Sequence, residues 1–213
     1  MINRLMVLLQ FFVLTVWPTT LPAEEVWISE DLPELSFEIN GKSYLIKRGN
    51  DNAAYMAKVY PPKAPRACPP HCLQPMIQYD GITPVGEVGI VTFIEDYVLS
   101  GDGYLVDTRV GKWFKAGTIP GAIHLPFNMF ADTSTNPFYE PLMAQLGGKK
   151  TANGWNFTDA KYLLLFCNGA DCGQSPRAIR NLVEGGYDPE KLMYYRGGMK
   201  DWVRYGFTIH FPE

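Results

Sequence analysis

Short apolar stretches and helical patterns alternate along the chain from residue 83 onwards. The predicted strands are the apolar stretches at 103–107, 122–125, 162–166 and 191–195. The predicted helices precede, separate or follow them, at 92–99, 137–146, 175–184 and 199–205. The stretch 162–166 is apolar throughout, which is typical of a strand buried on both faces. The alternation predicts an α/β fold in which helices cover both faces of a parallel sheet.

The first 23 residues have the pattern of a secretory signal peptide. Arg4 precedes an apolar run at 5–17, which Pro18 ends, and 21–23 is an acceptable cleavage site. The run is shorter than the ~20 residues that a membrane-spanning helix needs. We therefore expect a periplasmic or otherwise exported protein with no membrane segment after cleavage. An N-terminal anchor that is never cut is the alternative.

Residues 24–82 form a predicted N-terminal extension to the α/β domain, which we place at 83–213. Asn40-Gly41 lies between two short alternating segments. Because both of these residues tolerate positive φ, the pattern predicts a β-hairpin at 37–46.

A proline-rich connector completes the extension. Six prolines in 60–76 exclude a regular helix or strand there. Cys68 and Cys72 lie in this connector, and in an exported protein their spacing predicts a structural disulfide. A metal site that includes His71 is the less favoured alternative, because zinc needs four ligands, or three and a water, and no further ligand lies nearby.

Composition excludes several classes of partner. The chain has 22 acidic and 19 basic side chains, a net charge of −3. Its charge therefore gives no reason to expect binding to nucleic acid or to anionic lipid. Aromatic residues make up 14% of the chain, which argues against a disordered protein.

The clearest candidate for chemistry is Cys167, which directly follows the buried strand. In open α/β sheets, sites form at the carboxyl ends of strands. Ser175 suits the N-cap of the next helix and Pro176 its first position, so backbone N–H groups and a helix N-terminus should surround the sulfur. These dipoles favour an anion, and we expect a lowered thiol pKa and a nucleophilic thiolate. A buried, inert cysteine is the alternative.

Four motifs in order give the domain a family resemblance. They are LVDTR at 105–109, GTIPGAIHLP at 117–126, the loop that begins at Cys167, and YRGGMKDW at 195–202. On these motifs the chain resembles a rhodanese domain, a sulfurtransferase-type α/β fold. The resemblance implies a five-stranded parallel sheet flanked by helices, and sulfane sulfur carried on Cys167 as a persulfide without any cofactor. It further implies a small sulfur-donor anion, a thiol acceptor and a candidate protein thiol partner.

The resemblance also assigns roles around Cys167. Asp107 and Arg109 match positions that hold the active-site loop in place, which implies structural support. Cys172 is a candidate resolving thiol, which would attack a persulfide or mixed disulfide on Cys167; packing alone is the alternative. The substrate-binding residues are expected to be the rest of the loop: Asn168, Gly169, Ala170, Asp171, Gly173, Gln174 and Ser175.

The loop departs from the common rhodanese pattern. Cys172 stands where common loops have arginine, so the sequence resembles a subgroup with a Cys-x4-Cys loop and lacks the planar cation that suits thiosulfate. Thr118 stands where many members have histidine. A cysteine phosphatase needs Cys-x5-Arg, but that position is Gly173. The predicted function is an exported sulfurtransferase, with a thiol–disulfide oxidoreductase using Cys167 and Cys172, or a non-catalytic binding module, as the alternatives.

Overall fold

The computed structural model describes residues 25–64, 66–69 and 71–213. The predicted signal peptide at 1–23 lies outside the described residues. Within the part that the structure describes, no helix has both the length and the apolar character needed to cross a membrane.

Strands and helices alternate through the domain, as the sequence pattern predicts. The strands of the described residues are β1 Glu34–Ile39, β2 Lys42–Lys47, β3 Thr83–Pro84, β4 Gly103–Asp107, β5 Ile123–His124, β6 Lys149–Thr151, β7 Gly154–Asn156, β8 Tyr162–Phe166 and β9 Leu192–Tyr195. The α-helices are α1 Ala53–Val59, α2 Glu87–Phe93, α3 Gly111–Lys115, α4 Tyr139–Gln145, α5 Gln174–Glu184 and α6 Gly198–Arg204. A π-helical segment, Ile94–Val98, continues α2, and short 3-10 helices lie at Phe127–Phe130 and Pro189–Lys191.

A parallel sheet of five strands forms the centre of the domain, in the order β3-β9-β8-β4-β5. Every neighbouring pair in this sheet is parallel, which confirms the predicted α/β class. The central strand β8 pairs with β4 on one side and β9 on the other. The edge strand β3 has only two residues and ends at Pro84, a residue that sheets tolerate at an edge.

The side chains of β8 alternate between two hydrophobic clusters, one on each face of the sheet. Leu163 and Leu165 pack in the cluster that contains residues of α4 and α5. Leu164 and Phe166 pack in the cluster that contains residues of α2 and α6. Because both faces are covered by helices, an apolar residue is required at each of these positions of the strand.

The N-terminal extension packs against the domain. Its predicted hairpin forms as β1 and β2, and the turn residues Asn40 and Gly41 have φ of 51° and 76°. Phe37 of the hairpin lies in the same buried cluster as Trp202 of α6. Beyond the hairpin, the Nδ2 of Asn52 donates to the carbonyl oxygens of Val203 at 3.2 Å and Phe207 at 2.9 Å. The extension and the domain therefore share one core.

Three helices differ from the sequence prediction, among them α3, which the pattern does not predict. The helix predicted at 92–99 begins earlier, at Glu87, and its second half is the π-helical segment. Gly86 and Gly89 argue against a helix start in the sequence, because glycine has a low helix propensity. In the structure, the burial of Ile90 and its neighbours outweighs that low propensity. Helix α1 spans only seven residues, nearly all of them apolar, so its sequence shows no alternation of apolar and polar faces by which a helix is predicted.

Candidate active site

The thiol of Cys167 lies at the carboxyl end of β8 and is 1% exposed. Burial by itself raises the pKa of this thiol. Hydrogen bonds outweigh that effect: the Cys172 side chain, the backbone and side chain of Ser175 and the backbone of Gly169 together lower the pKa of Cys167 to about 7. A large fraction of Cys167 is therefore thiolate at neutral pH, as the sequence predicts, and thiolate is the nucleophilic form.

Cys172 has the opposite electrostatic character. Its side chain is half-buried, and the hydrogen bond with Cys167, followed by burial, raises the pKa of the Cys172 thiol. The Sγ of Cys172 also lies 3.8 Å from the Oε1 of Gln174. The two cysteines are both free thiols in this structure. The Sγ of Cys167 lies 3.3 Å from the carbonyl oxygen of Cys172, so the two residues are in direct contact.

The predicted role of Ser175 as an N-cap is wrong. Helix α5 begins at Gln174 with Gly173 as its N-cap, and no side chain caps the helix. Ser175 is in the first turn and fully buried, and its Oγ lies 2.8 Å from the Oγ1 of Thr108. Because Thr108 Oγ1 donates to the carbonyl oxygen of Phe166 at 2.9 Å, Ser175 is anchored to β8. It lies beside the Cys167 sulfur, where its hydrogen bonds lower the pKa of that thiol.

A buried ion pair supports the loop from below. Asp107 and Arg109 are fully buried, and the guanidinium of Arg109 binds the carboxylate with Nε at 2.9 Å and NH2 at 2.6 Å. Thr118 donates its hydroxyl to the same carboxylate at 2.7 Å. The remaining guanidinium nitrogen lies 3.4 Å from the Oδ1 of Asn168 in the active-site loop. The contacts of the pair fit a supporting role and do not include the reacting sulfur.

Tyr60, from the end of the extension, contacts both the ion pair and the loop. Arg109 donates to the Tyr60 hydroxyl at 2.9 Å, and the hydroxyl donates to the Oδ1 of Asn168 at 3.1 Å. Burial raises the pKa of Tyr60, so the phenol keeps its proton at neutral pH. Its ring stacks on Trp113, with centroids 5.5 Å apart and planes 2° apart. Tyr60 therefore fixes Asn168 next to Cys167.

The proline-rich connector holds the outer side of the loop. The backbone N–H of Gln74 donates to the carbonyl of Ala170 at 2.8 Å. Arg66 forms an ion pair with Asp171 at 3.3 Å, and Lys200 of α6 approaches the same carboxylate at 2.5 Å. The loop residues Asn168, Ala170 and Asp171 are thus each held by a residue of the extension that lies about a hundred positions earlier in the sequence.

A pocket of about 880 Å³ opens between the connector and the loop. Cys172 and the other loop residues at 168–174 line this pocket, but Cys167 and Ser175 do not. Outside the loop, the pocket wall includes the following aromatic and basic side chains: Tyr60, Lys63, Arg66, Trp113, Phe127, Arg177 and Lys200. The wall of the pocket therefore extends beyond the loop that the sequence predicts to bind substrate.

Several residues of this site carry no recognisable signal in the sequence. Tyr60 and Gln74 lie in an extension whose prolines indicate only an irregular connector, and Trp113 lies in a short helix that the pattern does not predict. Their contacts with the loop span long sequence separations, so local periodicity contains no trace of them.

Cys68 and Cys72 form a disulfide, with Cα atoms 4.5 Å apart. Both sulfur atoms are committed to this bond, which leaves no thiolate ligand for the alternative metal site with His71. In the described ranges, no group of three histidine, cysteine, aspartate or glutamate side chains is arranged to hold a metal ion.

Part of the chain matches the model of a known protein family. Residues 94–205, about half of the chain, match the family model for the rhodanese-like domain. Among curated proteins, an HTH-type transcriptional regulator of Mycobacterium tuberculosis is 28% identical over 110 residues, which cover 52% of this chain. The chain spans 38% of the length of that relative.

Solved structures of similar fold include a rhodanese-related protein from Thermoplasma volcanium, with 14% identity and a TM-score of 0.41 over 62% of this chain and 99% of the other. A human single-domain sulfurtransferase is 20% identical, with a TM-score of 0.36 over 56% of this chain and 94% of the other.

The titration of Cys167 tests the hydrogen bond from Cys172. We expect absorbance at about 240 nm, which reports thiolate, to show a step with a midpoint near pH 7 in the wild-type chain. Cys172→Ala removes a donor from the thiolate and should raise the midpoint toward the ~8.5 of a free cysteine. Cys172→Ser keeps a donor and serves as the matched control. An unchanged midpoint in Cys172→Ala would show that Cys172 does not stabilise the charge.

The two arginine–aspartate pairs should differ in their contribution to stability. Arg109→Leu leaves a buried carboxylate unpaired and should lower the free energy of unfolding by about 3–5 kcal/mol. Arg66→Leu breaks a partly exposed pair and should cost less than about 1 kcal/mol. Urea unfolding followed by tryptophan fluorescence measures both. Similar losses in the two variants would contradict the assignment of Asp107–Arg109 as the internal support.

Proposed function

The chain belongs to the rhodanese-like domain family, and on that premise we propose that it is a sulfurtransferase that carries sulfane sulfur as a persulfide on Cys167. The observation that supports this most directly is a buried thiol at the carboxyl end of the central strand whose pKa is lowered to about 7 by converging hydrogen-bond donors. The same donors suit the terminal sulfur of a persulfide anion, because they favour negative charge on sulfur.

The first half-reaction loads the sulfur. The Cys167 thiolate attacks the outer sulfur of a donor such as thiosulfate, a sulfur–sulfur bond forms, and sulfite leaves with the electron pair of the broken bond. In the second half-reaction, an acceptor thiolate attacks the outer sulfur of the persulfide and Cys167 regains its electron pair. The loop N–H groups of Gly169 and Ser175 stabilise the charge on Cys167 before and after each transfer.

We propose that Cys172 limits the lifetime of the persulfide. Cys172 lies in the same loop as Cys167, and its carbonyl oxygen is 3.3 Å from the Cys167 sulfur, which supports an approach of its thiol to the inner sulfur. Attack there releases the outer sulfur as hydrosulfide and leaves a Cys167–Cys172 disulfide, which an external thiol must reduce before the next cycle.

The contact between the two thiols also supports a second function. As a thiol–disulfide oxidoreductase, the Cys167–Cys172 pair would exchange two electrons and two protons with a dithiol partner and pass on no sulfur. The match of residues 94–205 to the rhodanese-like domain family favours sulfur transfer over disulfide exchange. A non-catalytic binding module would show neither chemistry.

We propose that the reaction takes place outside the cytoplasm. The predicted signal peptide at 1–23 supports export to a periplasmic or similar compartment, where the Cys68–Cys72 disulfide would be stable. In that setting the donor is a small sulfane-sulfur anion and the acceptor is a thiol.

Sulfur loading should depend on Cys167. After thiosulfate treatment, we expect the reduced wild-type chain to gain about 32 Da, one sulfur atom, on Cys167, and Cys167→Ser to gain none. Cys172→Ser keeps the nucleophile and should still load. Mass spectrometry with fragmentation of the peptide that contains both residues locates the added sulfur. An adduct of equal yield in Cys167→Ser would show that the site is assigned wrongly.

The persulfide should survive longer without Cys172. Once thiosulfate is removed, the wild-type adduct is expected to convert to an internal disulfide with release of sulfide, whereas Cys172→Ser should retain the adduct because no second thiol is present. Timed mass spectrometry and sulfide assay measure the two rates. Equal lifetimes would mean that Cys172 only packs; disulfide cycling with a thiol partner and no adduct in the wild type would favour the oxidoreductase.

A further inference from the structure

The pocket above the loop is much larger than a small sulfur donor needs. Its volume of about 880 Å³ falls in the range of sites that enclose drug-sized organic molecules, whereas thiosulfate is an ion of few atoms. One wall of the pocket comes from the extension, at 59–64, Arg66, His71 and Leu73, which lies outside the family match at 94–205. The pocket therefore combines residues of the family domain with a wall from outside the family match.

The free charge in the pocket is positive. Lys63, Arg66, Arg177 and Lys200 line it, together with the carboxylates Asp171 and Asp201. Arg66 and Lys200 are paired with Asp171. Lys63 and Arg177 are exposed and form no ion pair with any residue that the structure describes, so two unpaired cations face one unpaired carboxylate, Asp201. Since the whole chain has a net charge of −3, a local excess of unpaired cations indicates an anionic ligand.

Apolar surface accompanies this charge. The rings of Tyr60, Trp113 and Phe127 are only partly buried in the pocket wall, and the guanidinium of Arg177 lies 5.7 Å from the centroid of Phe127. At the connector side, Leu73 lines the pocket and is 73% exposed. Two more large apolar side chains soon follow it in the chain, Met76 at 50% and Ile77 at 58% exposure. Exposed apolar surface of this kind is typical of a protein-binding site.

The pocket also presents a thiol. Cys172 lines it, next to the thiolate of Cys167. A ligand that fills the pocket is thus held beside the sulfur-carrying pair, where a cysteine of that ligand would be positioned to accept sulfur.

Building on the proposed sulfur transfer, we propose that this pocket binds a cysteine-containing segment of a partner protein in which acidic and aromatic side chains flank the cysteine. The acidic side chains bind Lys63 and Arg177, and the aromatic side chain packs on the ring wall. The partner thiolate attacks the outer sulfur of the Cys167 persulfide, a new sulfur–sulfur bond forms on the partner, and Cys167 leaves as the thiolate.

Equilibrium binding tests the pocket without any sulfur chemistry. The probe is a fluorescein-labelled peptide, Asp-Phe-Ser-Glu, with serine in place of the cysteine, and its basic counterpart is Lys-Phe-Ser-Lys. Anisotropy with the full chain should show about tenfold tighter binding of the acidic peptide, weakening with salt. The double variant Lys63→Gln/Arg177→Gln should lose this preference.

A second double variant, at positions near Lys63 and Arg177, serves as the matched control. Lys58 and Arg180 are exposed and lie outside the pocket, so Lys58→Gln/Arg180→Gln makes the same charge change and should keep the preference. Thermal unfolding of both double variants checks that each is folded. Equal binding of acidic and basic peptides by the wild type, or equal loss in both double variants, would overturn the proposal.

A sulfur-transfer experiment tests this proposal separately from the sulfurtransferase function on which it rests. Persulfide-loaded protein should transfer sulfur faster to Asp-Phe-Cys-Glu than to Lys-Phe-Cys-Lys. If the chain binds the acidic peptide selectively but never loads sulfur, the sulfurtransferase function is wrong and the peptide-binding role of the pocket is supported. If the chain loads sulfur but shows no preference between the two peptides, only the peptide-binding role of the pocket is wrong. If mercaptosuccinate displaces the labelled peptide as well as the unlabelled peptide does, the site is one for small carboxylate thiols and the protein partner is wrong.

Discussion

Negative charge on a buried sulfur atom is the constraint on which the rest of the site depends. Cys167 is almost fully inaccessible to water, and burial alone would keep its thiol protonated. The pKa is nevertheless lowered, because the backbone at Gly169 and Ser175 and the thiol of Cys172 all point toward the sulfur. Such convergence requires one loop conformation, so everything that fixes the loop also sets the reactivity of the sulfur.

Support for that conformation comes from two parts of the chain. From the domain, the Asp107–Arg109 pair reaches Asn168 through the guanidinium. From the extension, Tyr60 contacts both Arg109 and Asn168, and Gln74 contacts Ala170. The family match covers only residues 94–205, but the loop is held in part by residues before it. The functional unit is therefore longer than the family domain.

The pair of cysteines combines two properties that are often found apart. The thiol with the lowered pKa is the buried one, and the thiol with the raised pKa faces the pocket. The buried thiol therefore carries the charge, and a group bound in the pocket meets Cys172 before it meets Cys167.

Local pattern in the sequence was enough to determine the α/β class, the central strand β8, the hairpin at Asn40-Gly41 and Cys167 as the candidate nucleophile. Each of these features depends on residues that are close in the sequence: the spacing of apolar residues, the residue types of a turn, or a position directly after a buried strand. Only the tertiary structure decided that Ser175 supports the sulfur rather than capping α5, that Tyr60 belongs to the site, and that the extension forms the pocket wall. These features arise from contacts between distant segments, because packing places side chains together that no local periodicity relates.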